Sequence, residues 1–218
     1  MSNLSILSRF YRTSSKAGLR LTQRLHEILI GSMLGDLFAE KPSSKHNTRL
    51  MFKQSVVNSD YIYHFFDLIC LYCGSVPVQV SANSKLPHLI GKDYFALKFN
   101  TLSLACFNIY REMFYDLSGL KRVPINIADH FTQVSLAYWF MDDGYKSPTG
   151  YYFCTESFST SDILVLLDML QTKFDLDCSV HKTTNGPRIY IKKSSVTHFN
   201  SLVRDEIITQ FQYKLHHH

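Results

Sequence analysis

The same order of helix and strand patterns runs twice along this chain, and this repeat restricts the fold more than any other feature. In the first passage, apolar periodicity predicts the helices 22–36, 61–72 and 102–117 and the strands 48–54, 76–82 and 94–100. In the second passage it predicts the helices 131–143, 162–174 and 195–204 and the strands 151–157, 176–182 and 188–192. The chain of 218 residues therefore predicts two similar halves of mixed helix and strand.

The first helix of each passage has a composition that demands a packing partner. The predicted helix 131–143 is apolar on nearly every side, so it must be buried on several faces. The predicted helix 22–36 carries Gly31 and Gly35 four residues apart, a spacing that lets a second helix backbone come close. We therefore expect these two helices to pack against each other.

Both helices end in acidic residues, Asp36 in the first and Asp142 and Asp143 in the second. A carboxylate at a helix C-terminus faces the negative end of the helix dipole, which is unfavourable. Two such carboxylates side by side also repel each other unless a divalent cation lies between them, and oxygen ligands of this kind suit Mg²⁺. If the two helices pack side by side, the pattern predicts a metal site; two carboxylates with bound metal ions can activate water and stabilise the leaving oxygen of a phosphodiester.

The composition is that of a packed, mildly basic protein. Hydrophobic residues make up 45% of the chain and the formal net charge is +5, which permits a polyanionic partner. No acidic residue precedes Glu27, so we interpret the basic segment 1–21 as a DNA-contacting arm, a mitochondrial presequence or a solvated tail. The apolar run Ile28–Leu34 is too short to span a membrane, so we expect no membrane partner.

Cysteine and histidine give little functional information here. The five cysteines show no disulfide pattern, and the single Cys70-x-x-Cys73 pair predicts no zinc site. The terminal residues 216–218 are three histidines, typical of the remnant of a purification tag, and we exclude them from the functional argument.

The two acid-ended segments resemble the paired motifs of single-chain LAGLIDADG homing endonucleases of the intron-encoded mitochondrial type. The first segment, 29–36, reads LIGSMLGD, and the second, 135–144, reads SLAYWFMDDG. The likeness extends over nearly the whole chain and includes the passages Lys121-x-Val-Pro and Tyr-Lys214-Leu. It implies an α+β fold made of a pseudo-twofold pair of αββαββα halves, 22–120 and 121–215, with saddle-shaped antiparallel sheets and the two motif helices packed at the centre.

The resemblance also implies roles for individual residues. The family's metal ligand stands at the eighth motif position, which is Asp36 in the first copy and Asp143 in the second. We assign the seventh-position residues Gly35 and Asp142 to the same metal site, Asp142 as a neighbour that shapes it. The expected ion is Mg²⁺, and Mn²⁺ or Ca²⁺ substitutes for it in binding. The remaining catalytic residues implied are two lysines near the scissile phosphates and two residues that organise solvent, namely Lys121, Lys214, Gln54 and Glu156.

The saddle of the family binds double-stranded DNA in the major groove, and the polar faces of the predicted strands offer side chains suited to phosphates and base edges. An ordinary solvent-facing sheet would show the same alternation. The candidate DNA-binding residues are Arg49, Lys53, Lys98, Asn100, Lys182, Arg188, Tyr190 and Lys192.

The implied function is that of a monomeric, mitochondrial, site-specific endonuclease. Such an enzyme hydrolyses one phosphodiester in each strand of a long asymmetric DNA site, across the minor groove, and leaves short 3′ overhangs. Two alternatives use the same fold: a maturase that binds its host intron RNA, and a regulator that binds DNA without cutting it. The presence of both acids, Asp36 and Asp143, and of both lysines, Lys121 and Lys214, favours cleavage.

Overall fold

The structure is a computed structural model that describes residues 19–81 and 94–216. Most of the basic segment 1–21 and the last residue of the predicted strand 76–82 lie outside the described residues. The helices are α1 (Gln23–Leu34), α2 (Ser59–Ile69), α3 (Asn108–Phe114), α4 (Ile127–His130), α5 (Gln133–Asp143), α6 (Thr160–Phe174) and α7 (Val196–Val203). The strands are β1 (Phe38–Glu40), β2 (Arg49–Ser55), β3 (Val78–Ser81), β4 (Phe95–Asn100), β5 (Gly144–Lys146), β6 (Tyr151–Phe153), β7 (Cys178–Thr183) and β8 (Gly186–Ile191).

The strands form two four-stranded sheets with the orders β1-β2-β4-β3 and β5-β6-β8-β7. All neighbouring strands in these sheets are antiparallel. The element order α1-β1-β2-α2-β3-β4-α3 returns later in the chain as α5-β5-β6-α6-β7-β8-α7. The expected α+β fold with two similar halves is therefore confirmed.

Several short elements differ from the expectation. The sequence patterns do not predict β1, α4 and β5, because an element of three or four residues is too short to show a period. The predicted helix 102–117 begins too early: Leu104 has an extended backbone, and α3 starts at Asn108. The N–H of Leu104 donates to the carbonyl of Thr48 at 3.0 Å, so this stretch runs beside β2 before it turns into the helix.

The predicted strand 151–157 is too long. Strand β6 ends at Phe153, and a turn follows in which the N–H of Phe158 donates to the carbonyl of Thr155 at 3.1 Å. The hydroxyl of Thr155 donates to the carbonyl of Pro187 at 2.9 Å and thus holds this turn against the start of β8. The turn thus places Glu156 beside β8.

The described chain divides into two compact units. The first unit contains the described parts of Met1–Thr22 and Leu37–Arg111, and the second contains Gln23–Asp36 together with the described part of Glu112–His218. The first unit has its core between β2, β4 and α2, where Phe52 stacks on Phe65 with ring centroids 4.5 Å apart and packs against Phe99 at 5.9 Å. All three rings are buried, as the alternation of β2 and β4 and the apolar face of α2 require.

The second unit has its core around α5. Trp139 stacks on Phe153 of β6 with ring centroids 3.9 Å apart, and Phe140 packs against Phe199 of α7 at 4.9 Å. From Val134 to Met141, every residue of α5 is buried. A helix covered on all sides is what its continuous apolar composition predicts.

Helices α1 and α5 pack backbone to backbone within the second unit, as the glycine spacing predicts. A Cβ atom added at Gly31 would overlap the carbonyl oxygen of Ser135, so only glycine permits this approach. The hydroxyl of Ser135 donates to the carbonyl of Glu27 at 2.7 Å and ties the two helices together at the same level.

We expect Gly31→Ala to destabilise the protein by about 1–3 kcal/mol, because the added methyl group must push the helices apart. In an isolated helix the same change would stabilise by about 1 kcal/mol, so a loss reports the packing and not the helix propensity. Urea denaturation followed by circular dichroism measures the change. Gly74→Ala is the control, since its Cβ would meet only the flexible side chain of Leu102 at 3.1 Å. A Gly31→Ala variant as stable as the wild type would contradict the close packing.

Candidate active site

The two acids of the motifs lie at the C-terminal ends of the packed helices. Helix α5 continues through Asp143, and the N–H of Gly144 donates to the carbonyl of Phe140 to close its last turn. Helix α1 ends at Leu34, so Asp36 follows it in a turn. Asp143 is therefore the last residue of its helix, whereas Asp36 lies two residues beyond the end of α1.

A direct contact joins the two helix ends. The N–H of Asp36 donates to a carboxylate oxygen of Asp142 at 3.1 Å. A Cβ atom added at Gly35 would overlap the side chain of Asp142, so the glycine leaves room for that carboxylate. The structure thus brings together the seventh-position residues Gly35 and Asp142 and the acid Asp36.

Both predicted lysines reach the ends of the motif helices. The ammonium of Lys121 donates to the carbonyl of Gly35 at 2.9 Å. The ammonium of Lys214 donates to the carbonyl of Met141 at 2.6 Å, and it lies over the ring of Phe211, 4.6 Å from its centroid. A cation at a helix C-terminus is favourable because it meets unpaired carbonyls and the negative end of the dipole.

The electrostatics of the site are those of partly buried charges. Burial raises the pKa of Asp143 to about 7, and the neighbouring carboxylate of Asp36 contributes to this rise, while Lys121 and Lys214 oppose the shift. Burial lowers the pKa of Lys121 to about 8 against the opposing effect of Asp143, Asp142 and Asp36. Burial also lowers the pKa of Lys214. Carboxylates and ammonium groups here act on one another, which is typical of active sites.

The oxygen donors at the helix ends fit a hard divalent cation. Among residues 19–81 and 94–216, no group of three or more His, Cys, Asp or Glu side chains has a geometry that would hold a metal ion alone. Mg²⁺ commonly uses one or two carboxylates and completes its shell with water and substrate phosphate. The raised pKa of Asp143 also favours a bound cation, because a nearby positive charge would relieve the repulsion between its carboxylate and that of Asp36.

Glu156 lies close enough to Asp143 to raise the pKa of that acid. Its carboxylate forms an ion pair with the guanidinium of Arg188 on β8, and Arg188 also donates to the hydroxyl of Tyr145 at 2.7 Å. Arg188, a candidate for DNA contact, thus has partners within the protein. Gln54, the predicted counterpart of Glu156, belongs to the first unit, where its side-chain oxygen accepts from Asn58 at 3.1 Å.

The polar face of the first sheet carries the candidates from β2 and β4. Lys53 stands directly opposite Lys98, and Asn100 stands opposite Met51. Arg49 forms an ion pair with Glu40 across β1 and β2. The side-chain oxygen of Asn100 is buried and has no hydrogen-bond partner among the described residues, so in this conformation it is not presented to a ligand.

The polar face of the second sheet has an aromatic row that the sequence patterns miss. Tyr145, Tyr152 and Tyr190 stand side by side on β5, β6 and β8, with ring centroids 5.2 and 4.7 Å apart. The ring of His181 on β7 stacks on Tyr190 at 4.7 Å, and its Nδ1 is 2.8 Å from the hydroxyl of Tyr152. The tyrosines are visible in the sequence, but their alignment depends on strand register, which alternation alone does not fix.

The other candidates of this sheet lie at strand ends. Lys182 is exposed opposite Pro187, next to the hairpin turn. Lys192 follows β8 and pairs with the carboxylate of Asp177 at 2.8 Å.

The fold and the paired helix ends define a two-motif α+β protein with its acids and lysines gathered at the ends of two packed helices. The chain belongs to the LAGLIDADG DNA endonuclease family, whose model matches residues 26–199.

Individual relatives cover most of the chain. It is 33% identical over 206 residues to the cytochrome b mRNA maturase bI2 of Saccharomyces cerevisiae, a match that spans 89% of this chain but only 48% of the yeast protein. It is 29% identical over 217 residues to the probable intron-encoded endonuclease 1 of Wickerhamomyces canadensis, which spans 95% of this chain and 90% of that protein. The chain therefore spans about half the length of the yeast maturase.

Solved structures match the fold. The homing endonuclease I-WcaI bound to its DNA recognition sequence superposes with a TM-score of 0.85 at 27% identity, covering 100% of this chain and 96% of that one. The structure of I-DmoI in complex with DNA and Mn gives a TM-score of 0.51 at 12% identity, over 83% of this chain and 96% of that one, and this likeness concerns the fold alone. Within the described residues, no helix has both the length and the apolar character that crossing a membrane requires.

The raised pKa of Asp143 gives the metal-free protein a pH-dependent stability. Between about pH 4 and pH 7 the folded state binds a proton that the unfolded state has released, so the free energy of unfolding falls as the pH rises through this window. Asp143→Asn removes the charge, and we expect it to stabilise the metal-free protein by about 1–3 kcal/mol above this window and little below it. Denaturant titrations at both ends of the window measure the difference. Asp168→Asn, at an exposed acid of α6, is the control. Equal effects of the two substitutions at every pH would contradict the assignment.

Proposed function

We propose that this protein is a site-specific, divalent-metal-dependent endonuclease that cuts both strands of a long double-stranded DNA site. The proposal rests on one observation: Asp36, Asp142 and Asp143 meet at the ends of two packed helices, and the ammonium groups of Lys121 and Lys214 donate to carbonyls of those same helix ends. Membership of the LAGLIDADG DNA endonuclease family supports it.

The carboxylates of Asp36 and Asp143 would hold Mg²⁺, with Gly35 and Asp142 in the same site, and Mn²⁺ or Ca²⁺ would substitute in binding. When bound, a divalent cation supplies a more acidic water and stabilises charge on the leaving oxygen of a phosphodiester. The half-buried ammonium groups of Lys121 and Lys214 would stabilise the negative charge that develops on the phosphate, because a charge partly shielded from water acts more strongly than one in bulk solvent.

Solvent around the scissile phosphates would be organised by one polar residue from each half. Glu156 has this role in the second half, where Arg188 fixes the direction of its carboxylate. Gln54 has it in the first half. The difference between a carboxylate and an amide at these places implies that the two strands are cut at unequal rates.

The proposed DNA interface consists of the polar faces of the two sheets. Lys53 and Lys98 stand opposite each other, and two like charges in this position destabilise a sheet unless an anion lies near them. A DNA phosphate is such an anion. The other proposed contacts are Arg49, Asn100, Lys182, Arg188, Tyr190 and Lys192. The similar protein I-WcaI, whose structure is of the complex with its DNA recognition sequence, supports this assignment.

The finer properties follow from the same proposal. Cleavage across the minor groove would leave short 3′ overhangs, and bending of the central base pairs would contribute to selectivity. We propose that the protein acts as a monomer, since it supplies both motifs from one chain. The intron-encoded relatives, which include cytochrome b mRNA maturases, favour a mitochondrial location.

A second candidate function is that of an intron-splicing maturase. The observation in its favour is the match to the yeast bI2 maturase, at 33% identity over 206 residues. Its partner would be the host intron RNA. A regulator that binds DNA without cutting it accounts less well for the two half-buried lysines beside the carboxylates, since DNA binding needs neither.

We expect the wild-type protein to cut a library of long duplexes at one site with Mg²⁺ and not without it. Asp143→Asn should lower the cutting rate by about 100-fold or more, because it removes a proposed ligand of the metal, while DNA binding measured with Ca²⁺ persists. Asp168→Asn is the matched control. RNA binding and splicing without cuts would favour the maturase, and a normal rate for Asp143→Asn would exclude its role as a ligand.

We expect Lys53→Ala to weaken DNA binding and to lower the slope of log affinity against log salt by about 0.9, the value for one phosphate contact. Fluorescence anisotropy with a labelled duplex at several salt concentrations measures both. Lys193→Ala is the control, because Lys193 lies in a 3-10 turn and not on a sheet face. An affinity loss that does not vary with salt would show that Lys53 contacts no phosphate.

A further inference from the structure

The two motif helices end in different ways. Helix α5 keeps its regular hydrogen bonds past Asp143. In α1, the N–H of Gly35 donates to the carbonyl of Ser32 at 3.0 Å, a tighter last turn, and the helix ends at Leu34 before its acid is reached. The backbone that bears Asp36 is therefore outside the helix and needs another source of order.

Side chains supply that order at both ends of one peptide group. The carbonyl of the Gly35–Asp36 peptide accepts from the ammonium of Lys121 at 2.9 Å, and its N–H donates to the carboxylate of Asp142 at 3.1 Å. Hydrogen bonds that involve a charged partner are roughly twice as strong as neutral ones. Because the plane of this peptide sets the direction of the Cα–Cβ bond of Asp36, the two contacts orient the carboxyl group of that residue.

The contact depends on a pair of residues that differ between the motif copies. The seventh position is glycine in the first motif and aspartate in the second. A Cβ atom at Gly35 would overlap the Cβ and carboxylate of Asp142, so the space that holds this carboxylate exists only because residue 35 has no side chain. The arrangement therefore supports Asp36 and has no equivalent for Asp143, whose N–H lies within α5.

We propose that Asp142 is a positioning residue for Asp36: its carboxylate accepts the Asp36 N–H across the helix pair and so directs the acid of the other motif. The proposal rests on the proposed function, because it gives Asp36 the role of a metal ligand there. Asp142 follows Met141 in sequence and adjoins Asp143, yet its structural effect falls on the opposite motif.

A role in charge alone would require the carboxylate itself, whereas a positioning role requires only an acceptor oxygen. Asp142→Asn keeps an oxygen in the same place and removes the charge. Asp142→Ala removes both. Comparison of the two variants therefore separates hydrogen bonding from electrostatics. Asp168→Ala, which removes an exposed acid from α6, is the matched control.

The first measurement is amide hydrogen exchange at Asp36 in the metal-free protein by NMR. Asp142→Ala should speed the exchange of this amide by about tenfold or more, as expected for loss of a hydrogen bond to a charged group. Asp142→Asn should speed it less than Asp142→Ala does, because a neutral acceptor oxygen remains, and Asp168→Ala should leave it within about threefold of the wild type. An unchanged exchange rate of the Asp36 amide in Asp142→Ala would overturn the proposal. This outcome does not depend on whether the protein cuts DNA. Should Asp142→Ala fail to fold, Asp142→Ser takes its place.

The second measurement is DNA cleavage, with binding in Ca²⁺ as a separate readout. Misorientation of Asp36 in Asp142→Ala should slow cutting by about 10-fold to 100-fold and leave the binding affinity within about twofold. Asp142→Asn should cut faster than Asp142→Ala, because it keeps the acceptor oxygen. An Asn variant as slow as the Ala variant would show that charge matters, and would overturn the positioning role. A wild-type protein that does not cut would refute the proposed function, and the exchange experiment would still decide the role of Asp142.

Discussion

The close approach of the α1 and α5 backbones is the constraint on which the site depends. Gly31 lets the α1 backbone meet the carbonyl of Ser135, and Gly35 leaves the space that Asp142 fills. A single added methyl group at either glycine would separate the helix ends. The acids and lysines would then no longer share one environment, so the electrostatics of the site are a consequence of helix packing.

This packing has a cost that the rest of the second unit must offset. Burial raises the pKa of Asp143 and lowers the pKa of Lys121, which means that both charged forms are disfavoured in the metal-free protein. The aromatic core around α5, with Trp139 stacked on Phe153, supplies apolar burial directly beside these groups. The continuous apolar composition of α5 thus offsets the cost of ending the helix in a half-buried acid.

The sequence predicts the helices and their acids well, because an apolar helix that ends in acid leaves a clear pattern. It does not predict contacts that depend on register or on partners distant in sequence. Arg188 carries a charge suited to a DNA phosphate, but the turn at Thr155 brings Glu156 beside it, and the two side chains form an ion pair. The contact of Asp142 with the N–H of Asp36 spans 106 positions, and no periodicity reports a backbone donor of this kind.

The two sheets have similar topology but different surfaces, and this difference bears on recognition. Lys53 and Lys98 form an unbalanced cationic pair on the first sheet, whose free energy improves when an anion approaches. On the second sheet, the rings of Tyr152, Tyr190 and His181 pack on one another, so their faces are occupied and their polar atoms are already hydrogen-bonded. Polar groups that are already hydrogen-bonded within the protein lose free energy if a mismatched partner displaces those bonds without replacing them. The DNA interface that we propose would therefore gain affinity through phosphates at the first sheet and discriminate mainly through shape at the second.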